Sequence, residues 1–154
     1  MIIGVLGANG EGKTTWILNF LKTHGLMGKT YRVDIADKPF GADKDDWFEG
    51  TCDAILYNPR FKGRWIVFDD IDNFDPRMGS LFDDVIIRAR HVPVSVIYAA
   101  RRPRGFTRNL VINTDYFVLF HISNEDRKFL EMFLGDSLPD PPPRRSHKPI
   151  ILKV

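Results

Sequence analysis

Residues 7–14 read Gly-Ala-Asn-Gly-Glu-Gly-Lys-Thr, a complete match to the pattern G-x-x-x-x-G-K-[ST]. The spacing has a chemical reason. Glycines let the backbone of Gly7, Ala8, Asn9, Gly10, Glu11 and Gly12 fold into a concave nest of inward N–H donors, and a helix starting near Lys13 adds the positive end of its dipole. Lys13 would reach the β- and γ-phosphates of ATP as a point charge, and the Thr14 hydroxyl would coordinate Mg²⁺. The plain alternative is a glycine turn joining a strand to a helix.

Such a site needs an acid at the carboxyl end of a nearby strand, and residues 65–70, Trp-Ile-Val-Phe-Asp-Asp, supply an apolar run that ends in two. Asp69 takes the place of the metal-shell carboxylate, acting through water. Asp70 takes the place of the base that orients and deprotonates the water attacking the γ-phosphate. A carboxylate there suits hydrolysis and is not required by a kinase, whose acceptor is a substrate hydroxyl. The competing reading makes Asp69, Asp70, Asp72 and Asp75 a solvated acidic turn. A further apolar run, residues 94–99, leads into Arg101, Arg102 and Arg104. An arginine fork spreads charge on a transferring phosphoryl group and is equally suited to DNA phosphates. Arg88 and Arg90 are placed to complete a neighbouring subunit's site as an arginine finger, or simply to complement the dipole of their own helix.

The elements that must position these groups follow from apolar spacing. Residues 1–6 are nearly all apolar, as in a strand buried on both faces of a parallel sheet. Trp16, Ile17, Phe20 and Leu21 recur at helical spacing over 13–24, and Gly25 gives a stop. Strands are predicted over 30–35, 64–70, 94–99 and 115–122. Helices are predicted over 43–57, over 80–90 with Ser80 as N-cap and Asp83 three residues on, and from Ser123 to a stop at Gly135. Strands alternating with helices give a three-layer α/β fold with a mostly parallel sheet, its functional loops at the carboxyl ends of the strands. The expected organisation is one domain over 1–138 and a proline- and arginine-rich tail over 139–154, where three successive prolines favour an extended backbone.

Composition narrows the class. A chain of 154 residues suits one domain. Apolar residues at 44% and charged residues at 27% exclude wholesale disorder and a fibrous repeat. One cysteine, Cys52, forms no internal disulfide and reads as an inert buried thiol, and His24, His91, His121 and His147 are too scattered for a metal knuckle. The N-terminus lacks the basic flank of a signal peptide and no apolar run is long enough to cross a bilayer, so the cytoplasm is the expected compartment. The first 84 residues carry a net charge of −4 and the remainder +6, an asymmetry compatible with a basic face for a polyanion. Trp16, Trp47, Phe48, Trp65 and Phe74 are candidate base-stacking platforms but more often core, whereas Arg104, Arg108, Arg144 and Arg145 are candidates for nonspecific phosphate contact.

The order of these motifs resembles the FtsK/HerA superfamily of P-loop DNA-pumping ATPases, and within it the small genome-packaging ATPases of membrane-containing phages and viruses. The resemblance rests on residues 7–14, on 66–70, and on Ile-Arg-Ala-Arg-His-Val-Pro-Val-Ser-Val-Ile-Tyr-Ala-Ala-Arg-Arg-Pro at 87–103. Asn113-Thr114-Asp115 before a strand and Ser123-Asn124-Glu125-Asp126 opening a helix also match. It implies Mg²⁺-dependent ATP hydrolysis by Lys13, Thr14, Asp69 and Asp70, with Arg88, Arg90 or Arg101 at the transition state. It further implies translocation of double-stranded DNA, a homo-oligomeric ring such as a hexamer, capsid or membrane-vertex partners, and a place in the host cytoplasm or the virion. In two positions the chain departs from the pattern. Asp70 replaces the usual glutamate, one methylene shorter, which implies slow turnover, and Arg101 replaces a glutamine whose hydrogen-bond acceptor it lacks. Two other classes fit the same motifs: a nucleotide or nucleoside kinase with Arg101, Arg102 and Arg104 as a lid, and a nucleotide-dependent assembly switch without motor activity. No Asn-Lys-x-Asp segment follows a strand, against a GTPase.

Overall fold

The computed structural model describes residues 1–73 and 79–154, with the side chains of residues 73 and 79–81 outside the description. Phe74, Asp75 and the Ser80 side chain, all named above, therefore lie outside the described residues. The strand expected at the N-terminus is β1, Ile2–Leu6, buried at every position because it has a strand on each side and helices over both faces. The others are β2 (Thr30–Val33), β3 (Trp65–Phe68), β4 (Ser95–Ala100), β5 (Tyr116–Leu119) and β6 (Ile150–Lys153). They form one sheet in the order β2-β3-β4-β1-β5-β6, parallel except for β6, which runs antiparallel to β5. This is the expected mostly parallel sheet.

Side-chain alternation divides the core in two. Ile3, Val5, Val67, Ile97, Ala99 and Val118 face α1 (Lys13–Thr23), which covers them with Ile17 and Leu21. Beside them Trp16 stacks on Phe20 and Phe20 meets Trp65 edge to face, with ring centroids 5.2 and 5.6 Å apart. The opposite face carries α2 (Lys44–Tyr57), α3 (Gly79–Ala89), α4 (Arg108–Asn113) and α5 (Asn124–Leu134). There an aromatic ladder, Phe48, Phe68, Phe82, Tyr98 and Phe106, joins α2 and α3 to β3 and β4 at centroid distances of 5.1 to 5.9 Å between successive rings. Cys52 is buried in the same layer and its thiol is pushed far above the usual range by burial. No helix among the described residues is long and apolar enough to cross a membrane.

Three elements differ from expectation. Helix α4 is too short to show helical periodicity and is fixed instead by Thr107, which caps it by accepting from the Leu110 N–H and donates to the Asp83 carboxylate at 2.5 and 2.6 Å. Asp83 thus serves the helix beside it. Strand β2 stops at Val33, since Asp34 accepts from the Ala36 N–H and opens a single 3₁₀ turn. Within 139–154, expected as a tail, the chain returns along the sheet: Ile150–Lys153 pair with Tyr116–Leu119 in register. Four residues beyond a proline run carry too little alternation to announce a strand.

Candidate active site

The loop between β1 and α1 is held from both sides. The Gly7 N–H donates to Ala100 O at the end of β4, and the Ala8 N–H to His121 O beyond β5. A side chain at Gly7 would collide with Phe120, whose Cβ lies 2.6 Å from where a Cβ would be. Gly12 adopts φ 101°, a left-handed conformation that carries a large penalty for any residue with a Cβ. The next two residues then enter α1 with their side chains at the helix's open N–H end. Lys13 is buried, and its Nζ folds back to donate to Gly7 O at 2.7 Å and Ala8 O at 3.2 Å. Burial pulls the Lys13 ammonium below the usual lysine range, opposed by Asp70, Asp72 and Asp69, while Arg101 adds to the lowering.

Those three carboxylates come from the end of β3. One strand, β4, separates it from β1, so the two strand ends stand about 9–10 Å apart, at two strand spacings. The side chains span that distance, with Thr14 Oγ1 3.5 Å from Asp69 Oδ2. Asp69 is 7% exposed; its Oδ2 accepts from Arg32 Nη2 at 2.8 Å and Thr14 Oγ1 at 3.5 Å, while its Oδ1 is buried without a hydrogen-bond partner. Burial raises the Asp69 carboxyl above the ordinary range, with Arg32 opposing. Asp70 sits at φ 49°, left-handed backbone that aspartate tolerates better than most residues and that takes it out of the strand's alternation. Asp72, expected only as part of a solvated turn, is half-buried and accepts from the Arg101 N–H, with Arg101 Nε 3.5 Å away. The carboxyl of Asp72 is likewise raised by burial, opposed by Arg101.

Thr14 and Asp69 are hard oxygen donors of the kind Mg²⁺ takes, and the orphaned Oδ1 is a group that a hydrated ion would satisfy. In front of the loop lies a cavity of about 580 Å³ lined by Ala8, Asn9, Asp72, Arg101, Arg102 and Arg104, among others. The fold therefore brings together Gly7 to Thr14, Asp69, Asp70 and Arg101. It does not bring Arg88 and Arg90 to them. Arg88 bonds the Tyr57 hydroxyl at 2.5 Å and Asp53 at 3.4 Å on α2. Arg90 bonds Asn113 O and, at 3.0 Å, Asp115 at the amino ends of the strands, the length of β1 or about 17 Å from the loop.

Sequence reasoning missed two features. Arg32 reaches Asp69 from β2, across 37 residues of chain. The returning C-terminal segment clasps the loop: the Arg145 N–H donates to Glu11 Oε2 at 2.9 Å, His147 Nδ1 lies 3.1 Å from Glu11 O, and His121 Nδ1 lies 2.9 Å from Pro142 O. The buried Glu11 is thus an anchor for that segment as well as a member of the glycine-rich loop.

No protein-family model and no curated protein matches the sequence. Solved structures do. The DNA-packaging ATPase B204 from Sulfolobus turreted icosahedral virus superposes with a TM-score of 0.64 at 14% identity, over 86% of this chain and 82% of that chain. A genome-packaging NTPase of the same name, from Sulfolobus turreted icosahedral virus 2, has been solved with AMP, AMPPCP and ATP-gammaS. EssC (ATPases 2 and 3) from Geobacillus thermodenitrificans gives 0.66 at 15% identity, over 98% of this chain and 37% of that chain. The N-terminal domain of zonular occludens toxin from Neisseria meningitidis gives 0.56 at 15%, over 80% and 78%. The chain shares the fold of these structures, the three-layer α/β arrangement that its alternating strands and helices predicted.

Proposed function

We propose that the protein is an Mg²⁺-dependent ATPase whose hydrolysis drives double-stranded DNA, for the packaging of a viral or phage genome. The observation that carries this reading is the single electrostatic cluster of Lys13 with Asp69, Asp70 and Asp72 across one intervening strand. Lys13 leaves Gly7 O and Ala8 O to bind the β- and γ-phosphates, while the loop's N–H groups hold the β-phosphate. Thr14 and Asp69 hold the metal, which when bound neutralises charge developing on the phosphate oxygens. Asp70 orients the attacking water and accepts its proton. Being one methylene short of glutamate, its carboxylate falls about 1.5 Å back, and the left-handed backbone at this residue is what can re-aim it. Arg101, tethered by Asp72, spreads charge within the site; Arg88 and Arg90, remote from their own loop, would act on a neighbouring subunit's nucleotide in a ring. Turnover should then rise with protein concentration and with DNA. Capsid or membrane-vertex partners and a cytoplasmic or virion-associated location belong to the same reading.

The test is ATP hydrolysis with and without double-stranded DNA by the wild type, Lys13→Ala and Asp70→Asn. DNA-stimulated turnover lost in both variants supports the reading; three proteins that behave alike overturn it. The arginine-lined cavity of about 580 Å³ favours a second reading, a kinase whose acceptor brings its own phosphate. Phosphoryl transfer to a nucleoside monophosphate would establish that one. Nucleotide binding with no hydrolysis under any condition would mark an assembly switch.

A further inference from the structure

Asp69 is held by a cation from its own chain. The Nη2 of Arg32 lies 2.8 Å from Asp69 Oδ2 and 2.9 Å from Asp34 Oδ2, so one nitrogen bridges two carboxylates that differ in setting. Asp69 is almost wholly buried, whereas the Asp34 side chain is 29% exposed and that of Arg32 56%. A buried carboxylate without a counter-charge is costly, which explains why a cation is recruited here. Yet the oxygen that Arg32 occupies is the one nearest Thr14 Oγ1, where a metal between the hydroxyl and the acid would bind. Strand β2 is the edge of the sheet, so the guanidinium has no outer strand to confine it. Thr14, Arg32 and Asp69 also share the wall of a cavity of about 210 Å³ beside α1.

We propose that Arg32 is a place-holding cation: it neutralises Asp69 until a divalent metal arrives with nucleotide, and then swings fully onto Asp34. This inference rests on the Mg²⁺–nucleotide reading above. Metal entry and arginine release become one exchange, in which Asp34 supplies the berth. Apparent metal affinity is the intrinsic affinity multiplied by the fraction of molecules in which Arg32 has released Asp69.

The experiment measures Mn²⁺ binding by electron paramagnetic resonance with AMPPCP present, so that no turnover is involved. Arg32→Gln should raise Mn²⁺ affinity, on the order of 3- to 30-fold. Asp34→Asn, which removes the berth, should weaken it, and should do so far less when combined with Arg32→Gln. A simple change of local charge would instead give Asp34→Asn the same factor in both backgrounds. Equal factors, or an Arg32→Gln affinity at or below that of the wild type, overturn the exchange while leaving the site intact. If the wild type itself fails to bind Mn²⁺ with AMPPCP, the underlying site assignment falls, and the inference with it. Melting in EDTA guards against misfolding: Arg32→Gln should melt lower than the wild type and gain more from Mn²⁺ and AMPPCP, and an identical gain counts against the exchange.

Discussion

The two ends of the sheet each hold an aspartate against an arginine, and the contrast between them separates structure from function. At the amino end Asp115 is fully used: its Oδ2 accepts from the Ile2 N–H at 2.7 Å and its Oδ1 from Arg90 at 3.0 Å, and Arg90 also bonds Asn113 O. At the carboxyl end Asp69 keeps one oxygen unpartnered in the interior and shares the other between Arg32 and Thr14. A fold optimised only for stability would complete both, because an unmade buried hydrogen bond costs about 1–3 kcal/mol. The end left incomplete is the end where the glycine-rich loop, Lys13 and the acids converge.

Variants can break this contrast. The largest effect is expected at Asp70: Asp70→Asn should lower turnover by about 10²–10⁴-fold while nucleotide binding persists, as read by steady-state hydrolysis beside calorimetry. A comparable loss from a substitution at Asp115 would erase the distinction. Next, Asp115→Ala strips partners from both the Ile2 N–H and Arg90, and should cost about 2 kcal/mol in urea unfolding with nucleotide affinity unchanged. A smaller change, about 1 kcal/mol in the same measurement, is expected for Glu11→Ala, which leaves the Arg145 N–H without its acceptor. Amide exchange at Arg145 should rise in that variant and nowhere near β2.

The smallest effect is a pH slope. Burial raises the Asp69 carboxyl, so its protonated form is favoured by folding; the stability this lends is present below the ordinary carboxylate pKa and is lost as pH rises through the raised one. Compared with Asp69→Asn, the wild type should therefore lose stability as pH climbs from about 4 toward neutrality. A flat difference across that range would show that Arg32 already cancels the burial.

The sequence made the loop legible because its eight residues are contiguous and each has a local reason to be there. The acids at the end of β3 were equally readable, since an apolar run that stops at two carboxylates is a short-range pattern. What escaped is joined across the chain. Arg32 meets Asp69 at a separation of 37 residues, and Glu11 meets Arg145 and His147 at 134 and 136. No periodicity encodes such pairings, which depend on strand order and on where a chain returns. The same limit explains Arg88 and Arg90: helix position placed them near a strand start, but only the sheet shows that this start lies away from the loop.

The most direct test of the central claim compares Lys13→Ala with Arg90→Ala by calorimetric titration with ATP-gammaS and Mg²⁺. Binding lost in Lys13→Ala and kept in Arg90→Ala is the expected result, since in the proposed site a subunit's own nucleotide is gripped by Lys13 at the carboxyl end of the sheet and Arg90 lies at the other end. Wild-type affinity in both variants, or loss in both, would contradict it.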